Sequence, residues 1–479
     1  MKFILSLTLL FSALTPLVLA DSKPNILFIF SDDQSYEAIG ALGHTDIDTP
    51  HLDRLVENGT TFTHAYNMGA WGGAVCVASR TMLISGRTLW RAHDLEKSLD
   101  DESKAGRLWP QRMAAQGYGT YFSGKWHIAT DPEKCFDHVV NKRPGMPHAG
   151  PGAYHRPPAG EPDPWSPSDR AQGGFWEGGR HWSEVLADDG IAFIEQAAGS
   201  DDPFFMMLAF NAPHDPRQSP QEYVDRYPLD RIKVPVSLLP EYPFNEAMGA
   251  GRGLRDEYLA PFPRDENSVR IHRREYYAIT THMDTQVGRI LDALEKSGKA
   301  DNTWIIFSSD HGLGVGHHGL FGKQNMYDHS LRVPFIVTGP GVEAGAQIDA
   351  PIHLQDVMAT ALDLAGADND GIEFQSLLPL LKGESGGLDA VYAAYTGTQR
   401  AVIDDGWKLI LYPMAETARL FHLAEDPQEI NDLAADPAME GRKKALYAKL
   451  RGLQARYGDN LDLDPVFPGL KSSITPDTR

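Results

Sequence analysis

Four short apolar runs that end on polar residues, the helical patterns between them, and a change of character near residue 386 predict an α/β fold. The expected architecture is a large, mostly parallel sheet sandwiched by helices, followed by a smaller C-terminal α+β domain. The runs are residues 25–30, 118–122, 204–210 and 304–307. They are rich in Ile, Phe and Val and show no alternation, which suits strands buried on both faces of a parallel sheet. Helical patterns occupy 50–58, 108–116, 182–197 and 273–297. In open sheets of this kind the ligand site lies beyond the carboxyl ends of the strands, so four distant segments are expected to meet at one cleft.

Residues 1–20 stand apart. Lys2, the apolar stretch from Phe3 to Leu19, and Ala20 before Asp21 read as a signal peptide, which predicts a secreted or periplasmic protein. No other segment approaches the roughly 20 apolar residues of a membrane span. The main domain is then expected over 21–385 and the smaller one over 386–479. The 479 residues carry a formal charge of −21, which becomes −22 without Lys2. Such acidity argues against nucleic acid as a partner, and an anionic substrate would need a local cationic pocket. Only Cys76 and Cys135 are available for a disulfide. That pairing is set aside because it would consume the residue that the other motifs surround.

The chemistry-bearing residues sit where the runs stop. Residues 25–30 lead to Ser31-Asp32-Asp33, and 118–122 to Gly124-Lys125-Trp126-His127. Residues 204–210 lead to Asn211-Ala212-Pro213-His214, and 304–307 to Ser308-Ser309-Asp310-His311. Asp32, Asp33 and Asp310 would repel one another at a single sheet edge unless a cation neutralised them. A hard divalent ion with oxygen ligands is the natural partner, Ca²⁺ more readily than Mg²⁺ because its geometry is flexible. Between the first two runs lies Cys76-Val77-Ala78-Ser79-Arg80, after the turn Gly69-Ala70-Trp71-Gly72-Gly73 and before a helix-like run from Thr81.

These elements resemble type I sulfatases. That family carries an early Asp-Asp pair, a Cys-x-Pro/Ala-Ser-Arg signature, a Gly-Lys-Trp-His element, a Pro-His segment, a late Asp-Asn or Asp-His pair, and a later Gly-Lys. All six occur here in that order, from Asp32 to Lys323. The resemblance implies an alkaline phosphatase-like fold and oxidation of Cys76 to formylglycine by a maturation enzyme. One hydroxyl of the hydrated aldehyde would attack sulfur, and proton loss from the other would eject sulfate. It also implies a calcium site at Asp32, Asp33, Asp310 and His311, with Arg80 and Lys125 holding the hydrate and Lys323 contacting the sulfate. His127 would accept the proton whose loss collapses the hemiacetal. His214 would donate to the departing alcohol or bind the ester oxygen. Two positions depart from the usual pattern: Ala78 stands where proline is more common, and His311 where Asn is more common. An imidazole is a softer ligand than calcium prefers, which leaves His311 either as a weak ligand or as a hydrogen-bond partner of the substrate.

The stretches 134–180 and 235–264 are expected to be long loops. Tyr154, Trp165, Phe175, Trp176 and Trp182 in and beside the first could stack on sugar faces or pack internally. His44, His64, Asp215, Arg217, His272, Arg273, Arg274, His317 and His318 fall in or beside loops and are left outside the catalytic set. Residues 390–396, 401–403 and 407–412 read as strands and 437–457 as a helix, similar to the small C-terminal domain of sulfatases. The expected activity is hydrolysis of sulfate esters, most simply on a sulfated carbohydrate. A phosphomonoester or phosphonate hydrolase on the same fold, and a sulfated-glycan binder with unmodified Cys76, are the alternatives.

Overall fold

The computed structural model describes residues 23–471, so the signal-peptide expectation lies outside the described residues. The strands that matter are β1 (Asn25–Ser31), β2 (Thr60–Phe62), β3 (Gly69–Ala70), β4 (Gly119–Lys125), β5 (His138–Arg143), β6 (Phe204–Ala209), β7 (Thr303–Ser309), β8 (Phe335–Thr338) and β9 (Ala346–Ile348). They continue as β10 (Val391–Tyr395), β11 (Gln399–Asp404), β12 (Trp407–Tyr412) and β13 (Thr417–His422). The main helices are α1 (Pro50–Asn58), α2 (Val75–Ser85), α3 (Trp109–Ala114), α4 (Trp182–Ala198), α5 (Glu266–Lys296), α6 (Asp356–Ala365) and α7 (Glu440–Tyr457).

Eight strands form the large sheet in the order β9-β2-β8-β7-β1-β6-β4-β5. All pairings from β7 across to β5 are parallel, as expected. The other edge is mixed, because β8 runs antiparallel to both β7 and β2. Alternate residues of β1 serve opposite faces, which is why its sequence shows an unbroken apolar run. Ile26, Phe28 and Phe30 pack with Leu83, Trp109, Met113 and Val357 from α2, α3 and α6. Leu27 and Ile29 pack with Leu52, Leu186, Ile194, Met283 and Val287 from α1, α4 and α5. With β1 entirely buried, the sheet centre is fixed by apolar burial on both sides.

Three elements differ from the sequence expectation. Helix α2 begins at Val75 rather than Thr81, and ten of its eleven residues are buried, so packing overrides the weak helix preference of the stretch around Cys76. Helix α5 starts at Glu266, seven residues before the expected start, where the Asp265 carboxylate accepts from the Ser268 amide at 2.9 Å. Its first turns are highly polar and carry no apolar stripe. Within the stretch 134–180, β5 adds an edge strand whose residues are half-buried or exposed and therefore show no apolar run.

The smaller sheet has the order β13-β12-β11-β10-β3, antiparallel from β13 to β10. Its last strand, β3, comes from the segment just before Cys76 and pairs parallel with β10. The two sheets are therefore stitched together beside the cysteine motif. Helix α7 packs on this sheet, with Leu446, Leu450 and Leu453 in its core. Among the described residues no helix is long and apolar enough to cross a membrane.

Candidate active site

The site forms at the carboxyl ends of β1, β7, β6 and β4, with α2 laid across them. Register places Ser31 of β1 beside Ser309 of β7, so the next residues, Asp32, Asp33 and Asp310, emerge together. The Asp33 amide donates to Asp310 Oδ1 at 3.1 Å, and the Gln34 amide to Ser309 Oγ at 2.9 Å. From β6, the Ala212 carbonyl accepts from the Asp32 amide at 3.1 Å, which ties the Pro-His segment to the same edge. Gly124 makes the Gly-Lys step possible: its φ is +102°, and a Cβ there would lie 1.9 Å from the Ala209 carbonyl oxygen. Cys76 and Arg80, one turn apart, share a face of α2.

The sequence-predicted groups converge in one buried cluster. The Cys76 thiol donates to Asp32 Oδ1 at 3.3 Å, and Lys323 Nζ lies 3.1 Å from its sulfur. Lys323 also clasps both oxygens of Asp33, at 2.6 and 2.7 Å. Lys125 pairs with Asp32. Arg80 donates from Nε to Asp310 Oδ2 at 2.9 Å and from Nη1 to the Lys125 carbonyl at 2.7 Å. Its Nη2 is buried without a protein partner among the described residues. His214 Nε2 stands 3.6 Å from Asp33 Oδ2, while its Nδ1 lies 2.7 Å from the Asp215 carbonyl oxygen.

One cation thus faces each carboxylate, yet for two of the three the cost of burial outweighs the pairing. Burial pushes Asp32 up to about 6, with Asp310 adding to the effect. Burial likewise raises Asp33 to about 8 although Lys323 opposes it. Burial would raise Asp310 too, but Arg80, Lys125 and Lys323 outweigh it and hold that carboxyl below its usual range. Two buried carboxylates driven toward protonation beside a third that stays ionised are suited to a further cation. One ligand atom from each of Asp32, Asp33, Cys76 and Asp310 lies within 4.8 Å of the others. The three carboxylates fit a hard divalent ion; a thiol in the fourth place does not, and an oxygen there would.

His311 is brought to the site but not into that group. Its Nδ1 lies 3.1 Å from the Gly312 carbonyl oxygen, and burial lowers it to about 4. His127 is half-buried, and its Nδ1 has no protein partner among the described residues. Burial, with Lys125, Arg80 and Lys323 nearby, lowers its pKa to about 3 and keeps the ring neutral. Gly145 closes one side of this ring, for a Cβ there would come within 2.3 Å of it. Asp33 and His127 both hold left-handed backbone, φ +66° and +57°. Such residues cost on the order of 1–3 kcal/mol and concentrate at functional sites.

Several participants were not legible as motifs. Asn67 donates to the Asp310 carbonyl at 2.6 Å. Asp215 accepts from Arg255 at 2.6 Å, Arg255 also pairs with Asp256, and Gln324 donates to Asp256 at 2.8 Å. Gln399 of β11 donates to the Gln324 carbonyl at 2.8 Å, so the smaller sheet braces the Gly-Lys loop. By contrast, Phe175, Trp165 and Trp176 are buried packing residues, which decides between the two readings in favour of internal packing at those positions. His317 pairs with Glu37 at 3.0 Å and His318 stacks on Tyr327. Cys76 and Cys135 are both free thiols.

Comparison with known proteins gives a match to the family described as Sulfatase over residues 24–367. A second match, described as N-sulphoglucosamine sulphohydrolase, C-terminal, covers residues 316–456. An ulvan-active sulfatase of Formosa agariphila is 27% identical over 461 residues, covering 91% of this chain and 82% of that protein. The solved structure of BT4656 with its substrate D-glucosamine-2-N,6-O-disulfate superposes with a TM-score of 0.70 at 22% identity, covering 92% of this chain and 99% of that one. A phosphonate monoester hydrolase of Silicibacter pomeroyi superposes at 0.72 with 20% identity, covering 91% and 96%. At these identities the structural likenesses establish the fold alone.

Proposed function

The chain belongs to the sulfatase family and is a sulfuric ester hydrolase, and from that premise we propose that it removes sulfate from a carbohydrate using formylglycine derived from Cys76 beside a bound Ca²⁺. The observation that carries this reading is the convergence of Arg80, Lys125, Lys323 and three carboxylates on one buried sulfur. A carbohydrate substrate is supported by the relatives, one active on ulvan and one bound to a disulfated glucosamine. Export rests on residues 1–20, and maturation calls for a formylglycine-generating enzyme as partner.

The aldehyde hydrate would supply one hydroxyl to attack sulfur and displace the alcohol, and a second whose deprotonation would release sulfate and regenerate the aldehyde. Asp32, Asp33 and Asp310 would hold a Ca²⁺, which would supply electrostatic stabilisation of the sulfuryl oxygens. Arg80, one helical turn from position 76 and fixed by Asp310 and the Lys125 carbonyl, keeps its Nη2 free for the reacting group. Lys125 and Lys323 keep charge next to the sulfuryl oxygens without reorganising during reaction. Neutral His127, with Nδ1 uncommitted, is equipped to take the proton whose loss expels sulfate. Neutral His214 has one N–H, and Nδ1 directs it to Asp215; donation to a departing alcohol therefore requires a proton gained at Nε2.

Purified, matured protein is expected to hydrolyse p-nitrophenyl sulfate faster than p-nitrophenyl phosphate, to lose activity to a chelator, and to regain it with Ca²⁺. Preference for the phosphate ester would place it with the phosphonate hydrolases instead. Chelator-resistant turnover would remove the metal from the mechanism. Gly145→Ala, which crowds the His127 ring, is expected to lower kcat by about 100-fold, the scale of a misplaced catalytic group. Full turnover in that variant would show that the ring position is not critical.

A further inference from the structure

We propose that Arg217 forms a second oxyanion subsite beside the sulfate site, one that clasps another carboxylate or sulfate on the substrate. The inference rests on the sulfatase reading and concerns recognition rather than bond breaking. Arg217 is 3% exposed and makes no ion pair among the described residues. Its Nη1 donates to His272 Nδ1 at 3.0 Å, and His272 Nε2 donates to the Leu259 carbonyl at 3.0 Å. Burial, with Arg156 and Arg217 close by, keeps His272 neutral, so it takes a hydrogen bond from Arg217 without balancing its charge.

The opposite edge, Nε and Nη2, meets no acceptor among the described residues. Other arginines of this chain use that same edge to hold a carboxylate: Arg107 on Glu102 at 2.7 and 2.7 Å, and Arg400 on Asp459 at 2.7 and 2.8 Å. A buried guanidinium with that fork unoccupied is costly, and a bidentate oxyanion is the ligand that offsets the cost. The nearby carboxylates are already engaged. Asp215 pairs with Arg255, Glu275 with Arg156, and Asp33 with Lys323.

Position ties this guanidinium to the reaction centre. The guanidinium lies 5.9 Å from the Tyr276 ring centroid, and the Tyr276 hydroxyl donates to the Asp33 carbonyl at 2.8 Å. Arg217 is three residues beyond His214 on a segment held in place by Gln218, which accepts from the Phe175 amide at 2.7 Å and donates to the Gly173 carbonyl at 3.0 Å. The fork is therefore preorganised, which limits the entropy lost when an anion docks.

The test uses the full chain carrying Cys76→Ala, so that ligands persist, with and without Arg217→Gln or Arg217→Lys. Calorimetry compares two matched pairs of sulfated disaccharides: an acid with its methyl ester, and a disulfate with its monosulfate. In at least one pair the ligand with the second anion is expected to bind about 10- to 100-fold more tightly, the range for charge-assisted bonds, and that pair names the anion. The ratio is expected to approach 1 in R217Q and to fall several-fold in R217K, which keeps charge without the fork. Equal binding within both pairs overturns the proposal, as does a ratio that survives in R217Q. If R217Q fails to fold, an undiminished ratio in R217K overturns it instead. Turnover of p-nitrophenyl sulfate is measured separately on the unsubstituted chain once its Cys76 peptide shows the aldehyde; its absence there would sink the sulfatase reading and leave the binding ratios to be judged alone.

Discussion

Replacing Cys76 with alanine is expected to abolish turnover of sulfate esters, by about 10⁴-fold or more, the scale for loss of a covalent nucleophile. The peptide spanning Cys76 in active protein is expected to be lighter than the thiol form by about 18 Da, the difference between a thiol side chain and an aldehyde. The thiol itself is poorly placed to substitute. Burial, reinforced by Asp310 and Asp32, pushes it well above the ordinary thiol range, so little thiolate exists at neutral pH. Attack by sulfur would also leave an adduct without an internal route to breakdown. Activity in protein whose Cys76 peptide is entirely unmodified would therefore refute the formylglycine mechanism. An intact thiol with no activity would point to a glycan binder, or to a host that does not mature the protein. Cys76→Ser adds a discriminating comparison, since a phosphatase of this fold would more often use serine.

The site was legible because its chemistry sits on regular elements. A buried parallel strand has to be an apolar run, and the residues beyond its carboxyl end are free to be polar. Asp32-Asp33, Lys125, His214 and Asp310 therefore stood out as abrupt changes of character, and strand order then brought them together. Cys76 was legible only as a short motif, because the helix that carries it is stabilised by burial rather than by a periodic pattern. Side chains placed by loop geometry were not legible. Asp256 and Asn67 belong to no motif, and their roles arise from contacts across 68 and 243 positions of chain, to Gln324 and Asp310.

The smaller domain shows the same division. Three of its strands and its helix were readable from local pattern, but β13 and the domain's function as a brace were not. Strand β3, two residues long, has no sequence signature, yet its pairing with β10 seats the cysteine segment against the smaller sheet. Gln399 then reaches the loop carrying Lys323. The aromatic-rich stretch left stacking and packing both open for a related reason: composition reports that rings are present but not whether they face water. Phe175 stacks on His181 in the interior, and Trp176 packs edge-on against the same ring.

Arg80→Met is expected to damage both stability and chemistry, in proportions that separate two roles. Arg80 and Asp310 are fully buried, so removing the guanidinium leaves a carboxylate without its principal partner, at a cost of about 3–5 kcal/mol. That loss would appear as a lower unfolding midpoint in urea. Turnover is expected to fall further than the residual folded fraction accounts for, by about 10²–10³, because Nη2 is the one N–H edge of Arg80 left for a reacting group. Arg80→Lys keeps the charge, but a single ammonium lacks the planar fork that reaches Asp310 and the Lys125 carbonyl together, so an intermediate result is expected for both properties. Pairing Arg80→Met with Asp310→Asn removes the stranded charge. Stability is then expected to recover in large part while activity does not. If Arg80→Met alone kept kcat/KM within tenfold of the parent, Arg80 would be a structural counter-ion only, and the stabilisation assigned to its free edge would have to come from Lys125 and Lys323.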